Sequence, residues 1–100
     1  MDDGYRMDGL KMKISVFGMG YVGCVTAAAL SRRGNLVVGV DVNAQKVHAI
    51  NRGEAPVLEK GLSEVIADGV LNGHLRATTD GAEAVGERDL SLICVGTPAK

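Results

Sequence analysis

Tryptophan is absent from this 100-residue chain, and only two tyrosines and one phenylalanine are present. Any core must therefore be aliphatic. There is no basic block, no aromatic RNA-binding motif and no zinc-type ligand spacing, and the net charge is −1. Those absences argue against nucleic acid as the main partner. No apolar run approaches the ~20 residues of a membrane-spanning helix, and no signal-peptide-like segment precedes the first strand. Cysteine is scarce: Cys24 and Cys94 stand in apolar surroundings outside any CxxC pattern, as expected of a reduced cytoplasmic protein. What is present, 46% hydrophobic and 23% charged residues, describes an ordinary globular domain, alone or as part of a larger one.

Residues 1–11 lack periodicity and read as a flexible N-terminal extension, with Met7 and Met12 both plausible starts. "KISVFG" then gives a β-rich run closed by glycine. In "YVGCVTAAALSRRG" the residues Val22, Val25, Thr26, Ala29 and Leu30 form a helical stripe, ended by Arg32, Arg33 and a C′ Gly34. "NLVVGVD" is a near-continuous aliphatic strand, the kind found when both sheet faces are covered. A second helix, "NAQKVHAINRG", stops at Gly53, and Pro56 keeps the following "EAPVLEK" a loop. "GLSEVIADGVLNG" reads as a third helix whose end is weakened by Gly69. "LRATTD" is a third strand, Asp80 caps a brief helix "GAEAVGE", and "DLSLICVG" is a fourth strand. Alternating strands and helices predict an α/β fold with a Rossmann-type parallel sheet, joined by right-handed crossovers.

Gly18, Gly20 and Gly23 make G-x-G-x-x-G directly after the first strand and at the start of the first helix. In that context the pattern points to a dinucleotide site. Gly18 would make a tight turn, Gly20 would let a pyrophosphate approach the backbone, and Gly23 would let helix and strand pack closely. Free N–H groups at the helix start would face the phosphates. A tight turn with close packing and no ligand is the alternative. Asp41 ends the second strand, 18 residues past Gly23. Its carboxylate suits the ribose hydroxyls of NAD and would repel the 2′-phosphate of NADP. An Asp that caps the next helix is the plainer reading. No arginine at positions 42 or 43 offers to hold a 2′-phosphate, so NAD is favoured over NADP.

From Met12 to the last residue the chain resembles the N-terminal segment of the UDP-glucose/GDP-mannose dehydrogenase family. The words that carry the resemblance are GxGYVG, VDV-x-x-x-K, N-x-G-x-x-P, E-x-GL, TTD and VGTP, in that order. "ICVGTPAK" and "GVDVNAQKV" are nearest to the branch that oxidises GDP-mannose; branches acting on UDP-glucose or UDP-N-acetylmannosamine are the alternative. The resemblance implies that Tyr21 and Val22 are cofactor-loop residues and Asp41 the ribose ligand. It also makes Lys46 a second ribose-side contact, where alone it reads as a solvated helix lysine. Thr97 falls in the loop after the fourth strand. With strand order 3-2-1-4 that loop would line the cofactor crevice; a plain turn before Pro98 is the other reading. The family has proline where this chain has Lys60, which leaves that helix entry less preset.

The family reaction implied is oxidation of a sugar-nucleotide C6 alcohol to a carboxylate with two NAD reduced. It runs through a thiohemiacetal and a thioester on a catalytic cysteine. That cysteine lies downstream of this segment in the family, so no catalytic residue is expected within these 100 residues, and none that binds metal. Residues 12–100 are expected to form part of an NAD-binding Rossmann domain, inactive as a dehydrogenase alone, with an aliphatic strand left at the sheet edge. The parent enzyme would be a cytoplasmic homo-oligomer whose partner is a sugar nucleotide. A non-catalytic NAD(H)-sensing module is a second functional class. His48 and His74 are expected on the surface, and Cys24 and Cys94 as small buried hydrophobes, the usual behaviour of free cysteine.

Overall fold

The computed structural model describes residues 12–86 and 88–94. The expectations for residues 1–11 and for Thr97 lie outside the described residues. The chain runs β1 (Lys13–Phe17), α1 (Tyr21–Arg32), β2 (Leu36–Val40), α2 (Ala44–Asn51), α3 (Leu62–Asn72), β3 (Leu75–Thr78), α4 (Gly81–Val85) and β4 (Leu90–Ile93). All strand pairs are parallel, in the order β3-β2-β1-β4. This is the Rossmann-type arrangement that the alternating elements predict, and it places the C-terminal ends of β1 and β2 side by side.

Register explains the two cores. Ile14 lies opposite Val37, and Val37 opposite Leu75. With Val16 and Ala77 these side chains fill one face and pack with Cys24, Ala27, Ala28, Val47, Ile50, Leu62 and Ile66 from α1, α2 and α3. The alternate residues Val38 and Val40 belong to a smaller cluster on the other face with Ala84 of α4 and Phe17. Successive strand side chains point to opposite faces, so β2 is apolar throughout because both its faces are covered. Ser15, fully buried on that second face, is satisfied by donating its hydroxyl to the Ala84 carbonyl of α4.

One helix reading needs correction and another gains a reason. The buried face of α1 is Gly23, Cys24, Ala27, Ala28 and Ser31, whereas Val22 and Val25 of the anticipated stripe are 60% and 37% exposed. Small residues win the inward face because the helix lies close to the sheet and leaves no room for branched side chains. At Gly69 the helix α3 continues without a break to Asn72. This glycine is the contact point itself: a Cβ there would lie 2.9 Å from Ser31 Oγ and 3.0 Å from Leu75 Cβ. Asp80 does cap α4, accepting from Glu83 N at 3.0 Å.

The outer edge of β3 is protected. The Asn51 side-chain amide donates to the Ala77 carbonyl at 3.0 Å and its oxygen accepts from Ala77 N–H at 2.8 Å. One side chain thus imitates a neighbouring strand and covers two otherwise free ladder groups. At the opposite side, β4 carries Leu90 and Ile93 exposed, 42% and 73%. Among the described residues no helix is long and apolar enough to cross a membrane.

Candidate cofactor-binding site

The three motif glycines differ in what the fold asks of them. Gly18 has φ of 98°, a conformation that strongly favours glycine, and its N–H returns to the Val40 carbonyl at 2.7 Å. Gly23 has no room: a Cβ would stand 1.7 Å from the Gly18 carbonyl oxygen. Gly20 has neither constraint. Its backbone is extended, φ −79° and ψ −158°, and a Cβ there would meet nothing within 4 Å. Among the described residues no protein atom, and in its backbone no dihedral, calls for glycine at that position. The open space above its backbone is what a ligand seated on the loop would need.

The start of α1 faces the same space. Gly20 is the N-cap and supplies no side-chain acceptor, and the first turn holds no acidic residue. Among the described residues no side chain caps its amides, and with the positive end of the helix dipole such a start suits an anion. A groove of about 430 Å³ runs beside it, lined by Phe17, Gly18, Gly20, Val40, Asp41, Val42, Lys46 and Cys94. The groove therefore brings together Gly18, Gly20, Asp41 and Lys46, four of the residues singled out from the sequence. Tyr21 and Val22, the first two residues of α1, are not among the groove's lining residues and are largely exposed, 54% and 60%.

Asp41 is not the helix cap. That part is played by Asn43, whose side-chain oxygen accepts from Gln45 N at 2.9 Å and Lys46 N at 3.3 Å. Asp41 instead accepts from Met19 N–H at 2.7 Å through Oδ2 and from Asn43 N–H at 2.9 Å through Oδ1. A carboxylate offers about four lone-pair sites, so roughly two remain for a ligand. Lys46 sits in the first turn of α2, half-buried at the groove.

The cysteines part company. Cys24 is buried, 1% exposed, and its thiol donates to the Met19 carbonyl at 3.3 Å. Burial pushes its pKa up to about 11, with Lys46 opposing weakly and Asp41 adding a little. Such a thiol is no nucleophile. Cys94, expected inside a strand as a buried hydrophobe, lies just past β4, half-buried, and lines the groove. Cys94 N–H still donates to the Phe17 carbonyl, 2.7 Å away, which continues the β1–β4 ladder past the last strand residue. His48 is exposed on α2, while His74 is half-buried before β3 rather than on the surface. Its backbone is the reason: N–H donates to Gly69 O and C=O accepts from Val37 N. Among the described residues no group of three or more His, Cys, Asp or Glu could hold a metal ion.

Sequence reasoning missed Met19, Gly39 and Cys94. The first is an unconstrained x of the motif, the second a glycine inside an aliphatic strand, the third a residue placed by where β4 ends. The residues present fit a dinucleotide: an open glycine, uncapped helix amides and a carboxylate with spare acceptors at one groove.

Comparison with known proteins agrees with this geometry. Residues 12–100 match the UDP-glucose/GDP-mannose dehydrogenase family, NAD binding domain. GDP-mannose 6-dehydrogenase of Pseudomonas syringae pv. syringae is 55% identical over 89 residues, 89% of this chain and 20% of that protein. UDP-N-acetyl-D-mannosamine dehydrogenase of Salmonella typhi is 48% identical over 87 residues, 87% of this chain and 20% of that protein. The crystal structure of GDP-mannose dehydrogenase from Pseudomonas aeruginosa superposes with a TM-score of 0.86 at 50% identity, covering 89% of this chain and 20% of that one. The chain thus spans about a fifth of the length of these relatives. It belongs to the UDP-glucose/GDP-mannose dehydrogenase family, in the region of its NAD-binding domain.

Proposed function

We propose that this chain binds NAD in the groove between α1 and α2 and forms the cofactor segment of a sugar-nucleotide 6-dehydrogenase. The observation that carries the reading is Gly20, a glycine with no internal reason to be one, at the bare start of a helix. The amides of Tyr21 and Val22 hold the pyrophosphate together with the loop from Gly18 to Gly23. The free lone pairs of Asp41 take the ribose hydroxyls, and Lys46 supports that side. Thr97, outside the described residues, is assigned to the cofactor on the family resemblance alone. NAD supplies the hydride acceptor, and the residues of this chain bind and orient it.

Residues 12–100 form part of a larger Rossmann domain in this reading, and the whole enzyme oxidises the C6 alcohol of its substrate to a carboxylate. GDP-mannose is favoured over a UDP-sugar because the GDP-mannose relative is 55% identical and the UDP-N-acetylmannosamine relative 48%. A cytoplasmic location and a homo-oligomeric enzyme belong to the same proposal and rest on the family. Titration of NAD and NADP against the chain and against Asp41→Ala tests the cofactor assignment. The unsubstituted chain is expected to prefer NAD by about tenfold or more, and the variant to lose most of that preference. An unchanged NAD-to-NADP ratio in the variant would remove Asp41 from the ribose.

A further inference from the structure

Met19 is the residue between the first two motif glycines, and it is 1% exposed. Every polar or bulky part of it is engaged. Its N–H donates to Asp41 Oδ2 at 2.7 Å, and its carbonyl accepts from the Cys24 thiol at 3.3 Å. Its thioether lies over Gly39 of β2, where a Cβ would stand 2.6 Å from Sδ and 3.1 Å from Cε. The same Cε is 3.4 Å from where a Gly23 Cβ would be. Gly39 needs explaining in its own right, since glycine in a strand interior weakens the strand. Its φ is not positive, so the conformation does not call for it. The hole it leaves is the seat of the Met19 side chain.

We propose that Met19 and Gly39, with Asp41, are positioning residues that lock the glycine loop in its cofactor-binding shape before any cofactor arrives. The inference rests on the NAD reading of the groove and adds a second task for Asp41. The loop's second glycine follows Met19 directly, so fixing Met19 at its amide, carbonyl and side chain fixes where the Gly20 backbone faces the groove. A loop already in its bound shape loses less freedom on binding, and affinity rises accordingly. Asp41 thereby links the two halves of the site. It holds the phosphate loop through Met19 N–H, holds the start of α2 through Asn43 N–H, and keeps lone pairs for the ribose.

Amide hydrogen exchange on the cofactor-free chain is the direct test. The Met19 amide is expected to exchange about a hundredfold or more slowly than an unstructured amide, and to approach the unstructured rate in Asp41→Ala. A freely exchanging Met19 amide in the unsubstituted chain overturns the lock. Binding gives the second readout. Gly39→Val should weaken NAD binding about tenfold, although valine is the better strand residue. Met19→Ala combined with Gly39→Val should recover about threefold of that loss by emptying the contested space. A Gly39→Val chain that folds and binds NAD like the unsubstituted one overturns the proposal. Because the exchange experiment uses the unsubstituted chain, its result stands even where a variant fails to fold. An unsubstituted chain that protects Met19 yet binds no NAD refutes the cofactor reading and supports the lock.

Discussion

Two helices begin side by side at the C-terminal ends of neighbouring strands, and they begin in opposite ways. α2 opens with Asn43, whose side-chain oxygen covers the amides of Gln45 and Lys46. α1 opens with Gly20, which covers none. A good N-cap contributes about 1 kcal/mol over alanine, though only a few tenths over glycine. The bare start is therefore a small sacrifice, and α1 can bear it. Its hold on the fold comes from Gly23, Cys24, Ala27, Ala28 and Ser31 packed on β1, β2 and α3. The lesson is one of division of labour: the capped helix start is structural, and the uncapped one is, in the proposed reading, the place for the cofactor's diphosphate.

The strongest way to break this contrast is to close the bare end. Gly20→Asp puts a capping carboxylate on an extended backbone that any residue can adopt, into space with no atom within 4 Å. The fold should keep its melting temperature or gain the equivalent of a few tenths of a kcal/mol. NAD affinity should fall about a hundredfold, because the new carboxylate competes for the amides and repels the diphosphate. Parallel thermal melts and NAD titrations would measure both. A variant that melts as before and still binds NAD would show that the start of α1 is not the anion site.

The converse substitution opens the closed end. Asn43→Ala removes two accepted hydrogen bonds at the start of α2 and should cost about 1 kcal/mol of stability. Asp41 still accepts the backbone N–H of residue 43, so NAD affinity should move by less than about threefold. A denaturant melt beside the same titration separates the two effects. A large loss of binding at unchanged stability would mean that α2's cap, and not only α1's bare end, belongs to the cofactor site.

The sequence made much of this legible, and the reasons differ by residue. Gly18, Gly20, Gly23 and Asp41 announce themselves because a strand, a tight turn and a helix meet there at a fixed spacing that the motif records. The parallel sheet follows from alternating elements, and its order 3-2-1-4 placed the crevice beside β1. The rest depends on which side of an element faces inward. The stripe Val22, Val25, Thr26, Ala29 and Leu30 has helical spacing, yet the inward face is the small-residue one, since closeness to the sheet outweighs side-chain hydrophobicity there. Asp41 and Asn43 are two residues apart and either can cap, so only the backbone path decides. Met19 and Gly39 are 20 positions apart in sequence, and nothing local tells that one fills the hole of the other.

Cys24 sharpens the comparison from inside. It is the fourth residue of α1, where the amides of a helix start ordinarily lower a thiol's pKa. Here the thiol turns inward to the Met19 carbonyl, and burial pushes its pKa up to about 11 from the ordinary 9.0. The helix start is thus bare toward the groove and dry toward the core. With that pKa only about a thousandth of Cys24 is thiolate at pH 8. Iodoacetamide at pH 8, read by peptide mass spectrometry, should modify Cys94 while Cys24 stays unmodified. The linkage runs with the proton: a raised folded pKa favours the protonated thiol in the native state. The resulting stability is fully present below about pH 9 and is lost as pH climbs toward 11. A Cys24→Ala chain should lose that component of the alkaline fall in melting temperature. Rapid alkylation of Cys24 in the folded chain at pH 8 would mean that the core side of the α1 start is open to solvent, and that the two sides of this helix end do not differ as described.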